Sequence, residues 1–165
     1  MMLPASFLGS ANFIRPIVFA FCIFAPTFSA ASAEPTQDFG VIAEIRAVIH
    51  AQQQAWNRGD IDRFMNGYAR SRSTTFVSED KITRGWETVR DRYKKKYSDR
   101  AKMGTLTFSD LEITPLSRTS AVVLGRWKLK RAQDQPHGRF TLIFRLTNDG
   151  WRIVHDHTSA AAPPR

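Results

Sequence analysis

Apolar residues recur every three or four positions from Asp38 onward, which is the spacing of one face of an α-helix. The stripe comprises Val41, Ile42, Ile45, Val48, Ile49, Gln52, Ala55 and Trp56. Gly59 suits the left-handed residue after a helix end, and Asp60 suits the N-cap of a second helix. We therefore predict a long helix and then a short one, whose inner side carries Ile61, Phe64, Met65 and Tyr68.

The next segment predicts a short hairpin, from 74–80 and 81–85, and a third helix that begins at Trp86. The inner side of this helix would carry Trp86, Val89, Tyr93 and Tyr97. After Gly104 β-branched and aromatic residues dominate, which is typical of strands. The four strand-like segments are 105–114, 120–130, 137–147 and 151–159.

The order of these elements, helices first and long strands last, indicates an α+β fold. Antiparallel strands joined by short turns curl because of their twist, and three helices can cover only one face of the sheet. We expect a cone-shaped barrel, made of a curved antiparallel sheet packed against the three N-terminal helices.

Strand alternation predicts which side chains face the helices. The turn at 148–150 places even-numbered residues of one strand on the same face as odd-numbered residues of the next. The expected inner face of this hairpin carries Phe140, Leu142, Phe144, Leu146, Trp151, Ile153, His155 and His157. The preceding strand would add Ala121, Val123, Gly125, Trp127 and Leu129. Asp156 would point away from this face.

His155 and His157 are the candidate chemical groups of the inner face. A partly desolvated imidazole changes its proton affinity, which suits acid–base chemistry; a hydrogen-bonded structural role is the alternative. A zinc site generally takes three protein ligands. Because neither His50 nor His137 falls in a position to complete one, we predict no metal site. Asp60 could also be considered as a catalytic acid, but its expected role as the N-cap of the second helix accounts for it fully. The sequence contains no nucleophile elbow, phosphate loop or Cys–His pair, so hydrolase and nucleotide-binding functions have no motif in their favour.

An aromatic concavity with a few polar groups is the usual form of a small-molecule site. We predict Tyr68, His155 and His157 as its catalytic residues, with Tyr68 donating to a developing oxyanion. The predicted ligand-binding wall comprises Trp56, Phe64, Phe76, Trp127, Phe140, Leu142 and Phe144. No cofactor is expected, and the ligand would be small and apolar or aromatic. The alternative is that these side chains only fill the core.

The N-terminal segment has the layout of a secretory signal peptide. Arg15 precedes an apolar run at 17–25, and a stretch of small residues ends with Ala-Ser-Ala at 31–33. A run this short cannot span a bilayer core, which needs about 20 residues; a buried core helix is the alternative. The predicted divisions are a signal peptide at 1–33, a short linker at 34–37, the domain at 38–160 and a disordered tail at 161–165. The mature protein would be periplasmic or secreted, with no stable membrane insertion.

The chain is basic, but the distribution of its charges does not favour nucleic-acid binding. The formal net charge is +9, and the densest basic run lies at 90–100. Aromatic residues are not interleaved there as stacking platforms, so the run is expected to be a solvated helix face. The other sheet face would alternate basic residues with Val122, Leu124, Ile143 and Val154. Because a solvated sheet face normally has a cleaner polar row, we expect a homodimer through the sheet.

Several of these segments, in this order, resemble those of the nuclear transport factor 2-like superfamily. They are WNRGD at the end of the first helix, RG before the third, then VVLGRW, GRFTLIF and the terminal WRIVHDHTS. Within the superfamily the chain is most similar to the SnoaL-like branch. Its terminal VHxH strand also resembles the association domain of calcium/calmodulin-dependent kinase II. The resemblance covers about residues 38–160.

The resemblance implies a cone-shaped α+β fold with a deep pocket and, usually, a dimer. With the predicted export, it suggests a secreted small-molecule-binding protein with a cofactor-independent isomerase or cyclase activity; a non-catalytic dimerisation or assembly module is the alternative. Steroid-isomerase relatives use an acidic base with a Tyr and Asp oxyanion pair, which cannot be placed here residue by residue. The kinase domains carry a pocket arginine where this chain offers Trp127 and Leu142. That difference argues against a carboxylate-binding pocket.

Overall fold

Four helices lie within residues 35–162, the part of the chain that the structure, a computed structural model, describes. They are α1 (Pro35–Asn57), α2 (Ile61–Met65), α3 (Trp86–Lys96) and α4 (Arg100–Met103). Helix α1 begins inside the segment that was predicted as a linker, and α4 was not predicted. The expected signal peptide at 1–33 lies outside the described residues. No helix of the described range is long and apolar enough to cross a membrane.

The predicted helix signals correspond to observed contacts. Ile45, Ile49 and Trp56 of the α1 stripe are buried against the rest of the domain. Gly59 has a φ of +82°, and the Oδ1 atom of Asp60 accepts a hydrogen bond from the backbone N–H of Arg63 at 2.9 Å. The capping interpretation of Asp60 is thereby confirmed.

Six strands form one sheet within the described residues. They are β1 (Thr75–Ser78), β2 (Lys81–Arg84), β3 (Thr105–Ser117), β4 (Ser120–Lys130), β5 (His137–Thr147) and β6 (Gly150–Thr158), in the order β2-β1-β6-β5-β4-β3. Strand β1 pairs with β6 in parallel, and the other neighbours are antiparallel. The α+β class and the curved sheet packed on helices are confirmed. The sheet is mixed and open, however, where a wholly antiparallel barrel was predicted.

The core lies between the helices and the inner face of the sheet. Its most buried side chains come from every layer, namely Ile45, Ile49, Met65, Val89, Val123, Leu129, Phe144 and Ile153. Two buried indoles also join the helical segments through their polar edges. Trp86 Nε1 donates to the carbonyl of Met65 at 2.9 Å, and Trp56 Nε1 donates to the carbonyl of Met103 at 3.2 Å. These bonds satisfy groups that would otherwise be buried without a partner.

A β-bulge interrupts β6 and changes the facing of its last residues. Phe144 of β5 pairs with Ile153, but Ile143 pairs with His155, so Val154 is an extra residue in the ladder. Such an insertion shifts the alternation by one position. From this point Asp156 shares the inner face, while the two histidines share the outer one. The predicted inward facing of His155 and His157 is therefore wrong.

Candidate functional site

A cavity of about 110 Å³ lies between the helices and the inner sheet face. Aromatic rings are prominent in its wall, and we call the following set the aromatic cage: Trp56, Phe64, Phe76, Tyr93, Tyr97, Phe108, Trp127 and Phe140. The rings pack mostly edge to face, with centroids 5.2 Å apart for Phe64 and Tyr93 and 4.7 Å apart for Trp56 and Tyr97. Such contacts hold the wall in a fixed shape.

The structure places most of the predicted wall residues on this cavity. Trp56, Phe64, Phe76, Trp127, Phe140 and Leu142 all line it, as does Tyr68, which was predicted as a catalytic residue. Phe144 does not: its side chain is 0% exposed and is part of the core. Strand alternation correctly predicted which residues of β4 and β5 face the cavity, because the pairing of these two strands has no register shift.

The polar centre of the cavity is a buried carboxyl group, that of Asp156, which is 4% exposed. The Tyr68 hydroxyl donates to its Oδ2 atom at 2.6 Å, and the Thr158 hydroxyl donates to its Oδ1 atom at 2.6 Å. The Tyr93 hydroxyl lies 3.4 Å from that of Tyr68. Three elements thus bring the group together: the segment after α2, helix α3 and strand β6.

Burial dominates the electrostatics of this group. Desolvation raises the pKa of Asp156 above its usual value, although the hydrogen bonds from Thr158 and Tyr68, and then the nearby charges of His155 and Arg92, oppose that shift. Burial, and then the charge of Asp156, raises the pKa of Tyr68 well above that of a free tyrosine. The same two causes raise the pKa of Tyr93. Both phenols therefore remain protonated donors at neutral pH, beside a carboxyl group that is more basic than an exposed one.

The two histidines lie outside this site. His157 is exposed and His155 half-buried, and neither lines the cavity. Asp156, which the sequence placed on the opposite face, occupies the position expected for them. The Val154 bulge is the physical reason. The end of β6 does contribute polar side chains to the cavity, but these are Asp156 and Thr158 and not the two histidines.

The exposed and half-buried residues of the lining mark where the cavity opens to solvent. We call Ser78, Glu79, Arg92, Lys96 and Ser159 the mouth. The guanidinium of Arg92 lies over the Phe76 ring, with its carbon 4.3 Å from the ring centroid. Sequence reasoning missed Arg92 and Lys96 because both fall in the basic run that was interpreted as solvated. The available signal was their spacing, three residues after Val89 and Tyr93 of the buried stripe.

This arrangement suits proton transfer on a small, mostly apolar molecule. A buried carboxyl can take up and return a proton, and a neighbouring phenol can donate to a developing negative charge. Within residues 35–162 no three His, Cys, Asp or Glu side chains gather in a way that could hold a metal ion.

A comparison with protein families identifies this architecture. The model of the SnoaL-like domain matches residues 45–163. The chain is 40% identical to an NTF-2-like protein of unknown function from Shewanella oneidensis MR-1, with a TM-score of 0.70. That match covers 72% of this chain and 98% of the other. A comparison with curated proteins finds no match.

Two more distant solved structures share the fold. A nuclear transport factor 2 (NTF2-like) superfamily protein from Salmonella enterica serovar Typhimurium LT2 is 22% identical, with a TM-score of 0.63, over 78% of this chain and 96% of that one. A ketosteroid isomerase-like protein from Erwinia carotovora atroseptica SCRI1043 is 18% identical, with a TM-score of 0.59, over 73% and 96% of the two chains.

Proposed function

Because this chain belongs to the SnoaL-like domain family, within the nuclear transport factor 2-like superfamily, we propose that it binds a small aromatic or apolar molecule in the cavity and catalyses a cofactor-independent proton transfer on it. The observation that carries the proposal is the carboxyl group of Asp156, buried at the cavity wall and hydrogen-bonded to Tyr68. The ketosteroid isomerase-like neighbour agrees with this class of reaction.

Asp156 takes the place of the histidines as the group that moves the proton. Its raised pKa makes it a stronger base than a solvated carboxylate once it is ionised. In the proposed step Asp156 removes a proton from the carbon between the carbonyl and the double bond of an unsaturated ketone. The electron pair of that C–H bond forms a double bond to the carbonyl carbon, and the π pair of the carbonyl moves onto its oxygen. The oxygen pair then re-forms the carbonyl while the far carbon of the original double bond takes the proton back from Asp156, so the isomerisation needs no external acid, oxidant or reductant.

Tyr93 is the proposed donor to the oxygen that becomes negative. Its contact with Tyr68 is long, 3.4 Å between hydroxyl oxygens, so a ligand oxygen that approaches more closely can compete for its proton. Tyr68 already donates to Asp156 at 2.6 Å. Tyr68 therefore positions the carboxyl group, a role that differs from the oxyanion role expected from the sequence.

The test uses cyclohex-3-en-1-one, a single ring of a size that suits the cavity. The protein is incubated with this ketone in deuterium oxide, and NMR follows deuterium uptake beside the carbonyl together with the shift of the double bond. We expect the wild type to accelerate both, and Asp156→Asn to lower the rate at least hundredfold, as is typical for loss of a general base.

Asp149→Asn is the matched control, since Asp149 is an exposed carboxylate in the turn that precedes the same strand. It is expected to retain the wild-type rate. A wild-type rate equal to that of buffer, or an Asp156→Asn rate equal to that of Asp149→Asn, would overturn the proposed chemistry.

We further propose that the protein is exported to the periplasm or beyond and forms a homodimer through the sheet. Export rests on the signal-like layout of residues 1–33. The dimer rests on the outer sheet face, where Leu124 and Ile143 are exposed. The same face favours an assembly module as the second candidate function. An inactive dimer that binds no small molecule would support that second function over the first.

A further inference from the structure

Two cations at the cavity mouth form no ion pair within residues 35–162. Arg92 and Lys96 lie four residues apart on α3, one turn above the other, and both line the cavity. Neither makes an ion pair with an acidic side chain of the described residues. Other basic residues of the same helix do: Arg90 pairs with Asp91 at 2.8 Å, and Lys94 pairs with Asp62 at 2.8 Å.

The surroundings of these two cations are also positive. Burial, and then the charge of Arg92, lowers the pKa of Lys96; Glu79 opposes this shift and Arg131 adds to it. The Nε atom of Arg131 is itself buried without a hydrogen-bond partner among the described residues. Glu79 is the one acidic residue of the mouth; it forms no ion pair with Lys96, although its charge acts on that ammonium, so the mouth holds two cations against one carboxylate. The mouth therefore attracts an anion.

The wall behind the mouth is apolar. Phe76 lies against Arg92, and Tyr97 lies within 5.6 Å of the Lys96 ammonium, measured to the ring centroid. A cavity of about 110 Å³ is comparable with cavities that hold one benzene ring, at about 150 Å³. The space thus suits a single ring or a chain of similar bulk.

We propose that the ligand of this pocket is a small carboxylate, its apolar part in the aromatic cage and its carboxylate bound by Arg92 and Lys96. A guanidinium presents two parallel N–H donors that match a carboxylate, and an ammonium adds a point charge. The proposal rests on the proposed function, because it names the class of ligand that the same cavity takes. It also revises the expectation from Trp127 and Leu142, since here α3 supplies the cations and the sheet does not.

The test compares benzoate with benzamide, two probes of nearly equal shape that differ in charge. Calorimetric titration of the wild type is expected to give benzoate a dissociation constant at least tenfold lower than benzamide. Arg92→Gln and Lys96→Gln should each weaken benzoate binding severalfold and leave benzamide binding unchanged. The double variant should bind the two probes alike.

Lys95→Gln is the matched control, because Lys95 is a neighbouring exposed lysine of α3 that does not line the cavity. If it weakens benzoate binding as much as Lys96→Gln, the effect belongs to the net charge of the protein and the site proposal fails. Equal binding of benzoate and benzamide by the wild type overturns the carboxylate proposal and leaves the small-molecule pocket intact. No binding of either probe overturns the pocket function as well.

Discussion

Asp156 is held between two opposing effects. Removing a carboxylate from water is unfavourable, and the pKa of this group rises as a result. Two short hydrogen bonds, from Tyr68 and Thr158, favour the ionised form and oppose that rise. The balance leaves a carboxyl group whose proton is held more tightly in the folded protein than in the unfolded chain.

This imbalance predicts how folding stability responds to pH. An unfolded aspartate titrates near pH ~4. Above that pH the unfolded chain releases a proton that native Asp156 retains, so the wild type loses stability as pH rises through the raised folded pKa. Asp156→Asn lacks this titration. The unfolding free energy of the wild type should therefore fall relative to that of Asp156→Asn between pH 4 and 8, as measured by urea denaturation. A wild type that gains stability relative to Asp156→Asn as pH rises would contradict the assignment.

Single-residue signals in the sequence were reliable where their cause is local. The cap at Asp60 and the left-handed Gly59 depend on neighbouring backbone groups, so the sequence was sufficient to predict both. The facing of Asp156 depends on whether a bulge lies two residues earlier. A bulge needs only one extra residue, and Val154 differs in no visible way from an ordinary strand residue.

Whole elements show the same difference between features with a local cause, which the sequence predicts, and features that depend on distant residues, which it does not. The bounds of β4 and β5 coincide with the predicted 120–130 and 137–147, because long alternating segments are strong signals. The parallel pairing of β1 with β6 was not predicted, since β1 has four residues and its partner lies far along the chain. For α3, the sequence predicted only which residues are buried. Arg92 and Lys96 lie beside that buried stripe, and they line the pocket because of where the sheet lies relative to the helix.

The pairing of β4 with β5 makes a prediction about the cavity wall. Gly125 lies opposite Phe140, and a Cβ atom at this glycine would overlap the Phe140 ring. Gly125→Ala should therefore destabilise the protein by about 1–3 kcal/mol, the usual range for overpacking. Chemical denaturation measures the effect, and Phe140→Leu in the same chain should recover part of it.

Gly40→Ala serves as the comparison, because a Cβ atom there meets nothing within 4 Å. This variant lies in α1 and should gain about 0.5–1 kcal/mol from helix propensity. A Gly125→Ala variant as stable as wild type would contradict the prediction, because it would mean that the Phe140 ring moves aside at little cost.

At the scale of the whole molecule, the two faces of the sheet have different surroundings. The inner face provides the core and the pocket wall, and the order of helices and strands was enough to predict this division. The outer face carries Val122, Ile143 and His155 in one cross-strand row, with Leu124, Thr141 and His157 in the next. The two histidines, expected in the pocket, therefore lie beside the exposed apolar residues of the proposed dimer face.

The proposed dimer can be tested on this outer face. Leu124 is 43% exposed and Ile143 is 36% exposed, and burying such residues against a second copy would remove apolar surface from water. Light scattering at micromolar concentration should give the mass of two chains, and Leu124→Glu should reduce it to one. Phe39→Glu is the control, since Phe39 is likewise a large apolar residue that is 72% exposed and belongs to helix α1 and not to the sheet. A wild type with the mass of one chain, or a Leu124→Glu variant with the mass of two, would exclude this face as the contact.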